Sequence, residues 1–106
     1  MPPRELSEQD LVDLLSKQHG VPSVDLDDFE VEAAALAQVP AELAQRHRLI
    51  PIAIDREAPT LIVAMADPGD TAVIDDIQER TGFSVEVVVA AASRVRRAID
   101  RYYFAN

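Results

Sequence analysis

A chain of 106 residues, 48% of them apolar, holds one folded domain with a modest core and is too short for two. Its net charge of −9 argues against nucleic acid or anionic lipid as a general partner, and the absence of cysteine excludes disulfides, thiolate metal sites and cysteine nucleophiles. No apolar run approaches the ~20 residues of a membrane span, and the opening MPPRELSEQD lacks the apolar stretch of a signal peptide. No direct membrane insertion is expected, and the cytoplasm is the default location.

Residues 1–5 read as a flexible lead-in to a single domain over 1–106. Ser7 is a helix N-cap, with Glu8, Gln9 and Asp10 in the first turn, where negative charge suits the helix dipole. Leu11, Leu14, Leu15 and Gln18 share one helical face, and periodicity reads that face as a core stripe. Gly20 ends the helix and Pro22 forbids its return. Val24 and Leu26 form a short extended piece, with Asp25, Asp27 and Asp28 turned outward. Residues 30–38, rich in Ala and Glu, predict a short helix, and Pro40 starts another through Glu42, Leu43 and Arg46.

The period then changes. Ile50, Ile52 and Ile54 alternate, the signature of a strand with one buried face. Arg56 to Pro59 make a turn, and the apolar run 61–66 (LIVAMA) reads as a central strand covered on both sides. The turn Asp67-Pro68-Gly69-Asp70 delivers Asp70 as N-cap of a helix over 71–80, with Val73, Ile74 and Ile77 inward and Gly82 closing it. Residues 84–89 (SVEVVV) are a third strand, and Ser93 is expected to cap a last helix with Val95, Ala98, Ile99 and Tyr102 inward. The fold class is α+β, an α/β sandwich: N-terminal helices, then β-β-α-β-α. The first two strands form a hairpin, and a right-handed parallel crossover joins the second to the third.

The glycines Gly20, Gly69 and Gly82 each serve a helix stop or a turn, so none is left for a Gly-rich phosphate cradle, and no GxSxG elbow exists. Without a P-loop the chain cannot hydrolyse ATP. It is read as no enzyme, with no catalytic residues, no cofactor and no metal. His19 and His47 lie near predicted helix C-termini, where partial positive charge is favoured, and their spacing fits no metal motif. Asp67, Asp70, Asp75 and Asp76 gather around one turn and serve turn and dipole chemistry better than a hard cation. Arg94, Arg97 and Arg101 sit at i, i+3 and i+7 on one face of the last helix, with Arg96 off it. They are either a solvated face paired to nearby acids or a contact for a carboxylate-rich partner or phosphate.

Four segments then carry a resemblance: LSEQDLVDLLSKQHGVPSVDL, VPAELAQRHRLIPIAI, LIVAMADPGDTAVIDDIQERTGFSVEVVVA and the closing RVRRAIDRYY. In order and spacing they resemble the N-terminal domain of type II secretion and type IV pilus assembly ATPases, the type II secretion E-protein N-domain, also called the MshEN domain. The most specific parts are Val63 to Pro68 with Asp70, and Gly20-Val21-Pro22 followed by Val24-Asp25-Leu26. The resemblance implies an adaptor that docks a motor onto the cytoplasmic part of an inner-membrane platform protein. In the MshEN subset it implies binding of cyclic di-GMP through tandem motifs of the form RLGxxLxxxGxLxxxxLxxxLxxQ. Only the rear half is present here, as Leu6, Leu11, Leu15 and Gln18. The Arg-Leu-Gly opening and the middle Gly are missing, and Arg4 cannot supply them at the family's spacing.

The leading expectation is therefore a non-catalytic protein-docking or regulatory module of a bacterial secretion, pilus or motility machine, either a fragment of a longer protein or a free-standing relative. Its partner would be the platform protein or an attached ATPase domain, and Arg94, Arg97 and Arg101 would form the contact face. The alternatives are a cyclic di-GMP receptor using Leu6, Leu11, Leu15 and Gln18, and a plain structural domain. A contiguous exposed apolar patch would favour packing against an attached domain over a charged dock.

Overall fold

The computed structural model describes residues 7–104; the expected lead-in and Leu6 lie outside the described residues. The chain runs α1 (Glu8–His19), α2 (Ala33–Leu36), α3 (Ala41–His47), β1 (Leu49–Asp55), β2 (Thr60–Met65), α4 (Thr71–Thr81), β3 (Ser84–Val89) and α5 (Ala92–Tyr103). The strands form one sheet in the order β1-β2-β3, with β1 antiparallel and β3 parallel to β2. The α+β class, the hairpin and the parallel pairing agree with the sequence reading.

Helix ends follow local chemistry. The Ser7 hydroxyl accepts the Asp10 N–H while the Asp10 carboxylate accepts the Ser7 N–H, a reciprocal capping box that starts α1. Gly20 and Gly82 stop α1 and α4 at φ 64° and 76°, left-handed conformations that glycine reaches without a Cβ penalty. Asp70 caps α4 by accepting the Val73 N–H at 3.3 Å.

Four expectations need correction, the last of them at α1. Helix α2 is shorter than 30–38 because its leading residues are recruited by β1: the Glu32 N–H donates to the Ile52 carbonyl at 3.0 Å, and the Glu32 carboxylate accepts the Ile54 N–H at 2.7 Å. Strand β1 does not alternate, since Leu49, Ile50, Pro51 and Ile52 are all buried. Proline cannot donate to the ladder, and the register with β2 slips between Pro51 and Ala53, which is tolerated on this edge strand. Ser93 does not cap α5; the N-cap is Ala91, which has no side-chain cap bond. The extended piece around Val24 has a partner the sequence did not reveal. It lies parallel to the free edge of β3, with Val24 N–H donating to the Val89 carbonyl and Val89 N–H donating to the Pro22 carbonyl.

The core is centred on β2, whose Leu61, Val63, Ala64 and Met65 are fully buried. Ile50 and Ile52 of β1, Val73 and Ile77 of α4, Val88 of β3, and Val95, Ala98 and Ile99 of α5 close around it. Tyr103 fastens the end of α5 to the loop before α3, its hydroxyl donating to the Val39 carbonyl at 3.0 Å. Burial pushes that phenol up to about 12, so it keeps its proton.

Helix α1 departs most from expectation. Only Val12 is buried on it, while Leu11 and Leu14 are 46% and 43% exposed. The predicted core stripe is a surface stripe. Leu61→Ala should therefore cost about 2–5 kcal/mol in urea unfolding, whereas Leu11→Ala should stay within about 0.5 kcal/mol of the parent.

Candidate functional site

The face of α1 is built from its spacing. Leu11, Leu14, Leu15 and Gln18 recur at three- and four-residue intervals, so they lie along one side of the helix. Val12, on another side, is the residue that reaches inward. Leu15 is half-buried and Gln18 is exposed. The stripe thus presents two uncovered leucines, a third at their base and an amide at the C-terminal end.

A polar clasp joins the start of α1 to the start of α5. The Glu8 carboxylate accepts both the backbone N–H and the hydroxyl of Ser93. It does for α5 what a side-chain N-cap would do, with negative charge set at the positive end of the helix dipole. These two hydrogen bonds, the hydroxyl's first, hold the Glu8 carboxyl below the usual carboxylate range, with a smaller contribution from Arg94. The sequence reading missed this pair. Its only local signal is Ala91 preceding α5, a cap position without a polar side chain. At the other end of α1, the Ser16 hydroxyl donates to the Val21 carbonyl, and the His19 ring lies over Gly69, where an added Cβ would come within 3.1 Å of Cε1.

The arginines of α5 are engaged within the chain. Arg94 pairs with Asp27 and lies 3.8 Å from Asp25, and Arg97 lies 3.6 Å from the same Asp27 carboxylate. Arg101 stands over the Tyr102 ring at 5.4 Å from its centroid. The structure brings Arg94 and Arg97 together on one acid, and Arg101 lines the same small cleft without pairing to that acid. A partner that took these arginines would first have to displace Asp27, although exposed pairs of this kind contribute only about 0–1 kcal/mol each.

The acids around the turn after β2 are also committed. Asp67 accepts the Gly69 N–H at 3.0 Å, Asp76 pairs with Arg80 at 3.0 Å, and Asp70 faces both the Val73 N–H and His47 Nδ1, the latter at 3.4 Å. Among the described residues no three His, Asp or Glu side chains group as a cation site would require. No helix there is long and apolar enough to cross a membrane.

The described residues thus form a three-stranded mixed sheet wrapped by helices, with an uncovered leucine face and several acids and arginines paired within the chain. The comparisons specify its class as the N-terminal domain of secretion and pilus-assembly ATPases. The MshEN domain matches residues 19–104, and the chain belongs to that family. It is 45% identical over 98 residues to the type IV pilus assembly ATPase PilB of Myxococcus xanthus and 32% identical to PilB of Thermus thermophilus. Each match covers 92% of this chain but only 17% and 11% of those relatives, so the chain spans less than a fifth of their length. A solved structure of MshE with cyclic di-GMP superposes with a TM-score of 0.82 at 30% identity, over 92% of this chain and 70% of that one. The N-terminal domain of XpsE superposes with a TM-score of 0.77 at 25% identity, over 92% and 68%. The MshEN match begins at the last residue of α1, so the leucine stripe lies ahead of it.

The clasp predicts a pH dependence. Because the Glu8 carboxyl is depressed in the folded chain, its stabilisation is present above the unfolded value and fades as pH falls through the folded one. The difference in melting temperature between the parent and Glu8→Gln, followed by circular dichroism, should be clear at pH 7. It should shrink as pH falls below the ordinary carboxylate range and close once pH passes below the depressed value of the folded chain.

Proposed function

We propose that this chain is a non-catalytic docking and regulatory module of a pilus-assembly, secretion or motility ATPase, working on the cytoplasmic side of the membrane. It holds a partner protein through the exposed face of α1. The partner is the cytoplasmic part of an inner-membrane platform protein or an attached domain of the ATPase itself. The observation that carries this reading is the exposure of Leu11 and Leu14 on a helix whose other side is anchored. Large apolar side chains side by side on a surface are characteristic of contact sites. The arginine face of α5 is the weaker candidate, because Arg94 and Arg97 already hold Asp27. Arg94, Arg97 and Arg101 then serve the rim of a contact, setting orientation and on-rate more than affinity.

The test is a calorimetric titration of the chain with the platform protein's cytoplasmic segment and, separately, with the ATPase core. One of the two should bind the parent, and Leu11→Asp/Leu14→Asp should weaken that binding by about a hundredfold, the loss of two central apolar contacts. The melting temperature should change little, since neither leucine is buried. Equal affinity in parent and variant, or no binding by either titrant, would contradict the reading.

A second reading, a cyclic di-GMP receptor, is favoured by the likeness to MshE with that ligand and by the shared surface of Leu11, Leu15 and Gln18. The missing Arg-Leu-Gly half-motif counts against it. Cyclic di-GMP carries two phosphate charges and two guanines, which need donors and close backbone approach that leucine and glutamine do not supply. Titration with cyclic di-GMP at moderate salt should give no micromolar binding. A micromolar dissociation constant abolished by Gln18→Ala would make this second reading the correct one.

A further inference from the structure

We propose that the cleft between α3 and α5 is a binding site for a small phosphorylated organic anion, separate from the α1 face. The cleft has a volume of about 440 Å³, within the range of small-molecule sites, and none of its lining residues lies on α1. Its floor is apolar: Val95 and Ile99 are buried there. Its rim is polar, with Arg48 at the end of α3, Arg96 and Asp100 on α5, and Gln45 on α3.

Two observations single out the arginines. Arg46, Arg80, Arg94 and Arg97 each pair with a carboxylate of the chain and Arg101 stands over the Tyr102 ring, whereas Arg48 and Arg96, like Arg56 outside the cleft, make no ion pair among the described residues. This holds in a chain with 19 acidic residues, and although Asp100 lies one helical turn from Arg96 on the same cleft. Independently, Arg48 is the only described non-glycine residue with positive φ, at 52°. It follows the last turn of α3, where glycine or asparagine reaches the left-handed region with least strain. The backbone is tied there by the Ala66 N–H donating to the Arg48 carbonyl at 3.1 Å. A strained arginine in a glycine position, lining a cleft with a second unpaired arginine, fits a ligand-binding role better than a folding one.

The chemistry of the lining selects the ligand. Two guanidinium groups from separate elements suit the oxygens of one phosphate, which arginine recognises through paired N–H donors. The Val95 and Ile99 floor takes the organic body, and the Asp100 carboxylate accepts from a hydroxyl or amino group on it.

The test is NMR titration of the 106-residue chain, following backbone amides and arginine Nε–H resonances. The titrants are adenosine monophosphate, inorganic phosphate, citrate and adenosine. Adenosine monophosphate should give saturable shifts at residues 45–48 and 95–100, with phosphate weaker at the same residues and adenosine and citrate without saturation. Arg96→Gln and Arg48→Gly should each weaken adenosine monophosphate binding by about tenfold, one charge-assisted contact. Arg48→Gly should also raise the melting temperature by relieving the positive φ. That split between stability and binding is not expected of a residue kept for packing. Shifts that fail to saturate, saturation by citrate at equal affinity, or unchanged binding in both variants would overturn the proposal.

Discussion

Strand β2 is hydrogen-bonded along both edges, antiparallel to β1 and parallel to β3, and the rest of the domain is arranged around that fact. A strand paired on both sides needs apolar residues that pack above and below, and Leu61, Val63, Ala64 and Met65 supply them without a polar interruption. Helices α4 and α5 then have fixed positions, since each must cover sheet surface with the residues its period turns inward. No buried polar or charged residue stands among the described core, so its cohesion is hydrophobic burial with satisfied backbone. Even the edges are managed. Residues near Glu32 pair against β1, and residues 22–24 pair against β3, so neither outer strand presents its full open edge.

Helix α1 stands outside this logic. It buries Val12 and half-buries Leu15, and polar ties hold its ends, the Glu8 clasp on Ser93 at its start and the Ser16 bond to Val21 at its end. Such fastening fixes the helix without consuming its leucines. The proposed docking role fits this arrangement, since a helix attached by one face and its ends leaves its other face open without disturbing the sheet.

Much of the fold was legible in the sequence because its signals are local. Gly20, Gly82 and Asp70 mark helix ends through backbone chemistry that depends on immediate neighbours, and the unbroken run 61–66 announces a strand covered on two sides. What was not legible depends on distant partners. Spacing shows that Leu11, Leu14, Leu15 and Gln18 share a side of α1, but not whether that side meets the sheet or solvent. Ser93 looked like a cap because its true partner, Glu8, is 85 residues away in sequence. Spacing groups the arginines of α5 on one face, yet nothing local indicates that Asp27 folds back to bridge Arg94 and Arg97. The family resemblance was legible from segment order alone, and membership of the MshEN family bears it out.

The domain is therefore a sheet-centred scaffold presenting one apolar helical face, with Glu8, Asp27, Glu32, Asp67 and Asp70 holding loops and helix ends. Hydrogen-deuterium exchange of the chain, with and without the platform protein's cytoplasmic segment or the ATPase core, tests that account most directly. It predicts added protection over residues 8–20 on binding and unchanged exchange in β2 and α4. Protection confined to residues 94–101, with α1 exchanging as in the free chain, would contradict it.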